Sequence, residues 1–398
     1  MSIPSSTRFL IPFGIIPYGI MTKETVRNPF TYGRVVVGEA FADRKTELAD
    51  LMRELEAGQS VILQSPRRYG KTSLIIAVLS RLEERGFITA LVDLFGCAST
   101  YDLAEKFTTE VVVRNYSRSE SLLNFLKEGL GKLKPELIVH PDGSFGLGLS
   151  KAAVGLDELA VLDEVLDAPQ RVAEKRGKPF VVVFDEFQDI VRLDGERIEK
   201  LIRSRIQHHQ DVSYVFMGSK KHMLDEIFSR PDNALFRSAT LYELKRIPSE
   251  PFAEYIRRRF SATGLQVKDQ IVEAILAFTQ GHPYFTQQLC HELWNIGAPR
   301  GKVDEEDLNE AIAAILNSQN ELFSNLWDSL SRHQRLLVRA LASEETSRPY
   351  SGKYIERHRL TSSSHVKKSL DVLTKKQIIH REEGIYKLAD IFFKQWLT

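Results

Sequence analysis

Two short apolar runs, residues 60–63 and 89–94, bracket the loop Ser65-Pro66-Arg67-Arg68-Tyr69-Gly70-Lys71-Thr72 and a helical pattern over 71–85 that Gly86 ends. Strand, loop, helix, strand is a βαβ unit, which commits this part of the chain to an α/β sheet with parallel neighbours. The loop also restricts the chemistry. A polyphosphate needs unpaired backbone N–H groups aimed at it, and a loop entering a helix N-terminus supplies them. Gly70 allows the close backbone approach, Lys71 has the reach for the β- and γ-phosphates, and the Thr72 hydroxyl suits Mg2+. Ser65 stands where such loops usually carry a first glycine, so the match rests on the flanking strand and helix as well. Ser65, Pro66, Arg67, Arg68, Tyr69, Gly70, Lys71, Thr72 and Ser73 are therefore the candidate nucleotide-binding residues. The competing reading is a Lys-Thr pair opening an ordinary helix.

A second motif weakens that competitor. Phe180-Val181-Val182-Val183-Phe184 is a continuous apolar run, as expected of a central parallel strand buried on both faces. Asp185 and Glu186 follow it directly, at the carboxyl end of the strand, where open α/β sheets bind their ligands. Asp185 is the candidate metal anchor beside Thr72. Glu186 is placed to polarise an attacking water as general base.

The chain has 398 residues, enough for two or three domains, and its 43% hydrophobic and 27% charged residues describe a folded globular protein. A formal net charge of +1 gives no general argument for nucleic acid or membrane. The charge is uneven, however: residues 331–398 hold 14 Lys+Arg against 7 Asp+Glu, so the remainder is acidic. That basic end could meet nucleic acid or dock on the acidic remainder. Cys97 and Cys290 are too few for a disulfide framework and lack zinc spacing, which fits a reducing cytoplasm. The apolar run 9–20 is broken by Pro12, Gly14, Pro17 and Gly19 and is too short to span a bilayer, so neither anchor nor signal peptide is expected. Met21 is an alternative start. No membrane partner and no internal repeat are expected.

Along the rest of the chain, a helix over 44–56 places Leu48, Leu51 and Leu55 on one face. Residues 101–133 read as helix, and Pro141-Asp142-Gly143-Ser144 reads as the turn of a hairpin between 137–139 and 145–149. The glycines of Phe145-Gly146-Leu147-Gly148-Leu149 belong to that hairpin and not to a dinucleotide loop. Residues 157–175 read as helix, 212–217 as strand and 240–244 as a weaker strand. His208-His209 has no spaced partner and reads as surface. Helical pattern takes over from 249, with Pro251 near a helix start and Asp304 as an N-cap. Residues 331–398 read as three helices and then strands at 377–380 and 385–388 around Glu382-Glu383-Gly384, the order of a winged helix.

Arg67-Arg68-x-Gly70-Lys71-Thr72 with Asp185-Glu186 resembles the archaeal-type ATPases of the STAND class, relatives of AAA+ proteins among the P-loop NTPases. The likeness runs from about residue 28 to the C-terminus. Asn28-Pro29-Phe30, Val37-Gly38-Glu39 and Phe41 with Arg44 are similar to that family's adenine-side segment. Gly281-His282-Pro283 is similar to the GxP motif of its helical lid, and Asp390-Ile391-Phe392-Phe393 with Trp396-Leu397 to its closing winged-helix signature. The resemblance implies an α/β fold: a three-layer P-loop NTPase core with a parallel sheet over 28–246, after an extension at 1–27. An α-helical lid over 247–325 and a winged-helix domain over 326–398 follow. It also implies ATP rather than GTP, Val37 and Pro283 near the base, Ser219 as a polar sensor of the γ-phosphate, and Arg237 as an arginine facing nucleotide in cis or in trans.

The expected function is an ATP-binding protein that hydrolyses ATP with Mg2+ as a switch or regulator. Two alternatives stand beside it: a DNA-binding protein whose ATPase gates contact, and a scaffold that keeps nucleotide unhydrolysed. A homo-oligomer or an unknown protein partner is compatible with each. The helix over 362–376 turns Val366, Leu370 and Leu373 inward and shows Ser364, Lys367, Lys368 and Lys375 outward. Asp371 interrupts that basic face and would repel a duplex. The pattern favours a basic module closing on the acidic core over a module gripping DNA.

Overall fold

The computed structural model describes residues 27–36, 38, 41, 44–115, 135–139, 145–149 and 157–398. The expectations for the N-terminal extension, for Val37 and for helix over 116–133 lie outside these residues. After a first helix, α1 (Lys45–Glu56), the phosphate-loop unit forms as expected: β1 (Val61–Gln64), α2 (Lys71–Glu84) and β2 (Ile88–Asp93). Next come α3 (Thr100–Val111), the antiparallel hairpin β3 (Pro135–Val139) and β4 (Phe145–Leu149), α4 (Glu158–Leu166) and α5 (Ala168–Arg176). Then follow β5 (Phe180–Asp185), α6 (Gly195–Ile206), β6 (Val212–Gly218), α7 (Lys221–Phe228) and β7 (Thr240–Glu243). Five strands make one parallel sheet in the order β2-β5-β6-β1-β7.

The side-chain period of two divides β5 between the two faces of that sheet. Phe180, Val182 and Phe184 pack with Phe107 and Phe216 on one side; Val181 and Val183 pack with Leu63, Ile75, Val78 and Met217 on the other. Each strand buried on both faces needs an unbroken apolar run, and that is why β5 and β6 are the strands most visible in the sequence. β7 lies at the edge and is mostly exposed.

Three local expectations are corrected. The helix expected over 101–133 stops at Val111 and gives way to a 3-10 turn at Val113–Asn115. The helix expected over 157–175 is two helices, because Pro169 opens a second one at its N-terminal end, where a missing N–H costs nothing. His209 is not a surface residue. Its side chain is 3% exposed, with Nδ1 2.6 Å from the Tyr214 hydroxyl and Nε2 3.2 Å from Asp167.

The C-terminal part contains α8 (Ser249–Ser261), α9 (Asp269–Thr279), α10 (Pro283–Gly297), α11 (Glu305–Asp328), α12 (Arg332–Ser343), α13 (Gly352–Arg357) and α14 (Ser363–Lys375). The hairpin β8 (Ile379–Glu382) and β9 (Ile385–Leu388) and a last helix, α15 (Ile391–Leu397), complete it. Asp304 caps α11 in a reciprocal capping box with Asp307. Glu383 and Gly384 both have positive φ, 49° and 85°, as a two-residue hairpin turn requires. The helices after β7 and the winged helix share one apolar cluster that runs from Phe252 through Phe323 to Phe393. The 24-residue α11 passes through residues 325 and 326, so lid and winged helix are joined by a continuous helix. Among the described residues no helix is long and apolar enough to cross a membrane.

Candidate nucleotide site

The loop of residues 65–70 leaves the end of β1 and turns into α2 through Gly70, whose φ of 85° is left-handed and costs a glycine little. Arg68, at φ 66°, bends the loop a second time. Lys71 is 7% exposed, and its Nζ donates to the Ser65 carbonyl at 2.9 Å and to the Pro66 carbonyl and the Ser65 hydroxyl at 3.3 Å. Neutral acceptors compensate an ammonium poorly, so burial pushes Lys71 down to about 8 despite Glu186 and Asp185 nearby. A phosphate beside it would supply the missing counter-charge.

The Thr72 hydroxyl donates to Asp185 Oδ2 at 3.3 Å, joining the start of α2 to the end of β5. Burial, then the neighbouring Glu186, raises the Asp185 carboxyl to about 6. Two hard oxygen donors in a site that penalises bare negative charge fit Mg2+, which binds through one or two protein oxygens and otherwise keeps water and phosphate. No group of three or more His, Cys, Asp and Glu side chains able to hold a metal ion occurs among the described residues.

Glu186 follows at φ 50° and opens a 3-10 turn, Phe187–Arg192. Its Oε2 accepts from Ser219 Oγ at 2.9 Å and from Gln188 Nε2 at 2.5 Å. Ser219 directly follows β6, the neighbour of β5, and is 6% exposed. The family resemblance pointed to Ser219. Gln188 was missed, because nothing in a period marks a glutamine that tertiary packing buries; its one signal was its place two residues after the acid pair.

The other candidates point elsewhere. Arg67 is exposed. Arg68 reaches out, its guanidinium 4.4 Å above the Tyr284 ring of α10 and 3.9 Å from Asp390 before α15. The buried Tyr69 donates its hydroxyl to Glu382 Oε1 of β8 at 3.0 Å, while Arg44 donates to its carbonyl. Ser73 Oγ accepts from the backbone N–H of Val36, so the segment preceding α1 crosses the start of α2. Pro283 opens α10 behind the buried His282, whose ring meets Tyr69 edge-on at 4.8 Å. Arg237 stands apart. It is exposed, its N–H donates to Phe228 at the end of α7, and it precedes β7, whose Thr240 is level with Val61. That is the start of the strands, whereas the phosphate loop leaves their other end.

The expected polarity of the docking is reversed. The winged helix meets the core through acids: Glu382 accepts from Arg246 Nε at 2.9 Å, Glu383 lies 3.6 Å from Lys245, and Asp390 faces Arg68. Arg246 Nη1 also donates to the Gln280 carbonyl and side chain, tying in the lid. Burial opposes ionisation of Glu382, yet His380, Arg246 and Lys387 beside it hold its carboxyl far below the usual carboxylate range. Lys367, Lys368, Asp371 and Lys375 all remain exposed.

Comparison with known proteins adds two sequence families. The model described as an ATPase domain predominantly from Archaea matches residues 41–289, and that of a probable winged helix domain matches residues 321–398. No curated protein matches in sequence. Among solved structures, a Walker-type ATPase of Pyrococcus abyssi superposes with TM-score 0.62 at 19% identity, covering 90% of this chain and 96% of that one. The Aeropyrum pernix ORC2 protein, in ADPNP and ADP complexes, gives 0.55 at 14% identity over 89% and 91%. The Aeropyrum pernix ORC1 protein in complex with DNA gives 0.50 at 16% identity over 90% and 93%.

Proposed function

Because the chain belongs to the family of ATPase domains found predominantly in Archaea, we propose that it hydrolyses ATP to ADP and phosphate and uses the change as a conformational switch. Lys71 and the loop N–H groups hold the β- and γ-phosphates, Thr72 and Asp185 hold Mg2+, which neutralises phosphate charge, and Glu186 takes the proton of the attacking water. Membership of the STAND class is part of this proposal; it is supported by the resemblance of Arg67-Arg68-x-Gly70-Lys71-Thr72 with Asp185-Glu186 and of Gly281-His282-Pro283. Arg237, level with the far end of the strands, would act on the nucleotide of a second copy.

One observation carries the switch reading. The side chains of Arg68 and Tyr69, within the phosphate loop, contact the lid and the winged helix directly. A loop that tightens around phosphate must move those contacts. Hydrogen bonds to charged groups contribute about 1.5–3 kcal/mol net, enough to shift a two-state equilibrium tenfold or more. Glu382→Gln keeps the shape and removes the charge facing Arg246 and Tyr69. Its expected result is a Kd for ATP or ADP changed by about three- to thirtyfold. Calorimetry on the full chain checks it; a variant that merely melts earlier, with both affinities unchanged, argues for an adhesive role only.

A second reading is favoured by the exposed Lys367, Lys368 and Lys375 on α14, which the core leaves free for a polyanion, and the ORC1 neighbour was solved with DNA. Under it, α14 contacts the DNA backbone. Binding should then fall with salt with a log–log slope near −0.9 per phosphate neutralised. Lys367→Glu with Lys368→Glu should abolish DNA retention and leave basal ATP turnover unchanged. Filter binding across salt beside an ATPase assay tests it, and retention at background in the wild type removes the DNA reading.

A further inference from the structure

Gln188 has no place in the mechanism above, yet it is fully buried and touches its central carboxylate. Its Nε2 donates to Glu186 Oε2 at 2.5 Å, and its Oε1 has no partner among the described residues. An ionised carboxylate only accepts, so the amide can face it only through its NH2 group, and the orientation is chemically fixed. Burying an amide oxygen without a donor is unfavourable, and such exceptions are rare in folded proteins. The surroundings are shaped for this amide. A Cβ on Gly218 would come within 1.9 Å of Gln188 Oε1, so the strand passing beside it has a residue without a side chain there. Phe187, also fully buried, packs against Phe184, Phe216 and Phe228 and fixes the turn that presents Gln188.

We infer that Gln188 is a positioning residue for ATP hydrolysis: with Ser219 it holds Glu186 Oε2 so that the carboxylate meets the attacking water in one orientation. This rests on the ATPase reading and deepens it. In the step, the water oxygen bonds to the γ-phosphorus and its proton passes to Glu186. The bond to the bridging oxygen breaks, leaving its electron pair on ADP. Glu186 sits at a left-handed φ after a strand end, where its side chain would otherwise sample several rotamers. Two donors on one oxygen select a single placement and leave Oε1 without a donor from the described residues. Misplacement by about 1 Å costs on the order of 10²-fold in rate.

The test uses the full chain, with ATP turnover and calorimetric ATP affinity measured for wild type, Gln188→Met, Glu186→Gln and the double variant. Methionine fills a similar volume without a donor. The expected result is a kcat lower by about ten- to a hundredfold with KM and Kd within about threefold of wild type. On top of Glu186→Gln, the same change should have no further effect on residual single-turnover rate, because it acts through Glu186. Gly218→Ala, which displaces the same amide from the other side, should reproduce the loss and covers the case in which Gln188→Met does not fold. A wild-type kcat in Gln188→Met or Gly218→Ala, a loss that adds in full to Glu186→Gln, or a KM that rises in step with the loss each overturns the inference while the ATPase reading stands. A wild type that does not turn over ATP at all removes both.

Discussion

Lys71→Ala is expected to raise the Kd for ATP by roughly 10²–10⁴-fold, the equivalent of two hydrogen bonds to charged groups at about 1.5–3 kcal/mol each. The direction follows from what the lysine does without phosphate. Its ammonium is 7% exposed and among the described residues is satisfied by the Ser65 and Pro66 carbonyls and the Ser65 hydroxyl. Burial has already shifted it down to about 8, so the free protein holds this charge at a cost. A triphosphate turns that cost into attraction in a water-poor site, where preorganised charge is most effective. The same reasoning predicts that the nucleotide-free variant is about as stable as wild type, within roughly 1 kcal/mol, since the lost donors are offset by the removed desolvation. Calorimetry with urea unfolding of the apo protein separates the two effects. Unchanged affinity in a folded variant would exclude the loop as the phosphate site; lost affinity with a large loss of apo stability would mean that Lys71 is structural.

The legible parts of this protein are those whose physics is local. A phosphate loop needs a glycine at left-handed φ, a lysine and a hydroxyl at the mouth of one helix, and Gly70, Lys71 and Thr72 stand together in the chain. A strand buried on both faces needs a continuous apolar run, so β5, and with it Asp185 and Glu186, could be read directly. The winged hairpin was legible because Gly384 suits a turn that needs positive φ, whereas Glu383 beside it adopts φ 49° against its own preference. The helix over 391–397 went unassigned, although Asp390 caps it through the Phe392 and Phe393 N–H groups.

What stayed hidden depends on which side chains meet across the fold. The 14 basic against 7 acidic residues in the last segment suggested a basic face on an acidic core, but net charge does not say which residues touch. The contact uses Glu382, Glu383 and Asp390 against Arg246, Lys245 and Arg68. His209 reads as surface because its partners are distant in sequence or hidden in a strand: Asp167, 42 residues earlier, and Tyr214 within β6. Arg68 and Tyr69 carry the phosphate-loop signature yet spend their side chains on the lid and wing, which no motif separates from phosphate contact.

Glu186→Gln should leave ATP bound and slow its hydrolysis by about 10²–10⁴-fold, the usual contribution of a general base. The substitution is nearly isosteric, and its surroundings can accept it. Ser219 Oγ and Gln188 Nε2 both donate toward Oε2, so an introduced amide can place its oxygen there and keep both hydrogen bonds. Asp185 keeps its contact with the Thr72 hydroxyl, so the metal-binding oxygens remain in place. Lys71 loses one of the two carboxylates that stabilise its charge, and phosphate affinity should therefore hold or rise slightly. What the amide lacks is a lone pair basic enough to take the water's proton as the γ-phosphorus is attacked. The effect should fall on kcat alone, because an interaction made only in the transition state leaves the ground-state complex unaffected. Single-turnover hydrolysis with calorimetric Kd on the same preparation measures both. A near-wild-type rate would reduce the Asp185-Glu186 pair to a metal site and move the base elsewhere. A rate loss accompanied by an equal loss of affinity would mean that Glu186 holds the loop together instead of activating water.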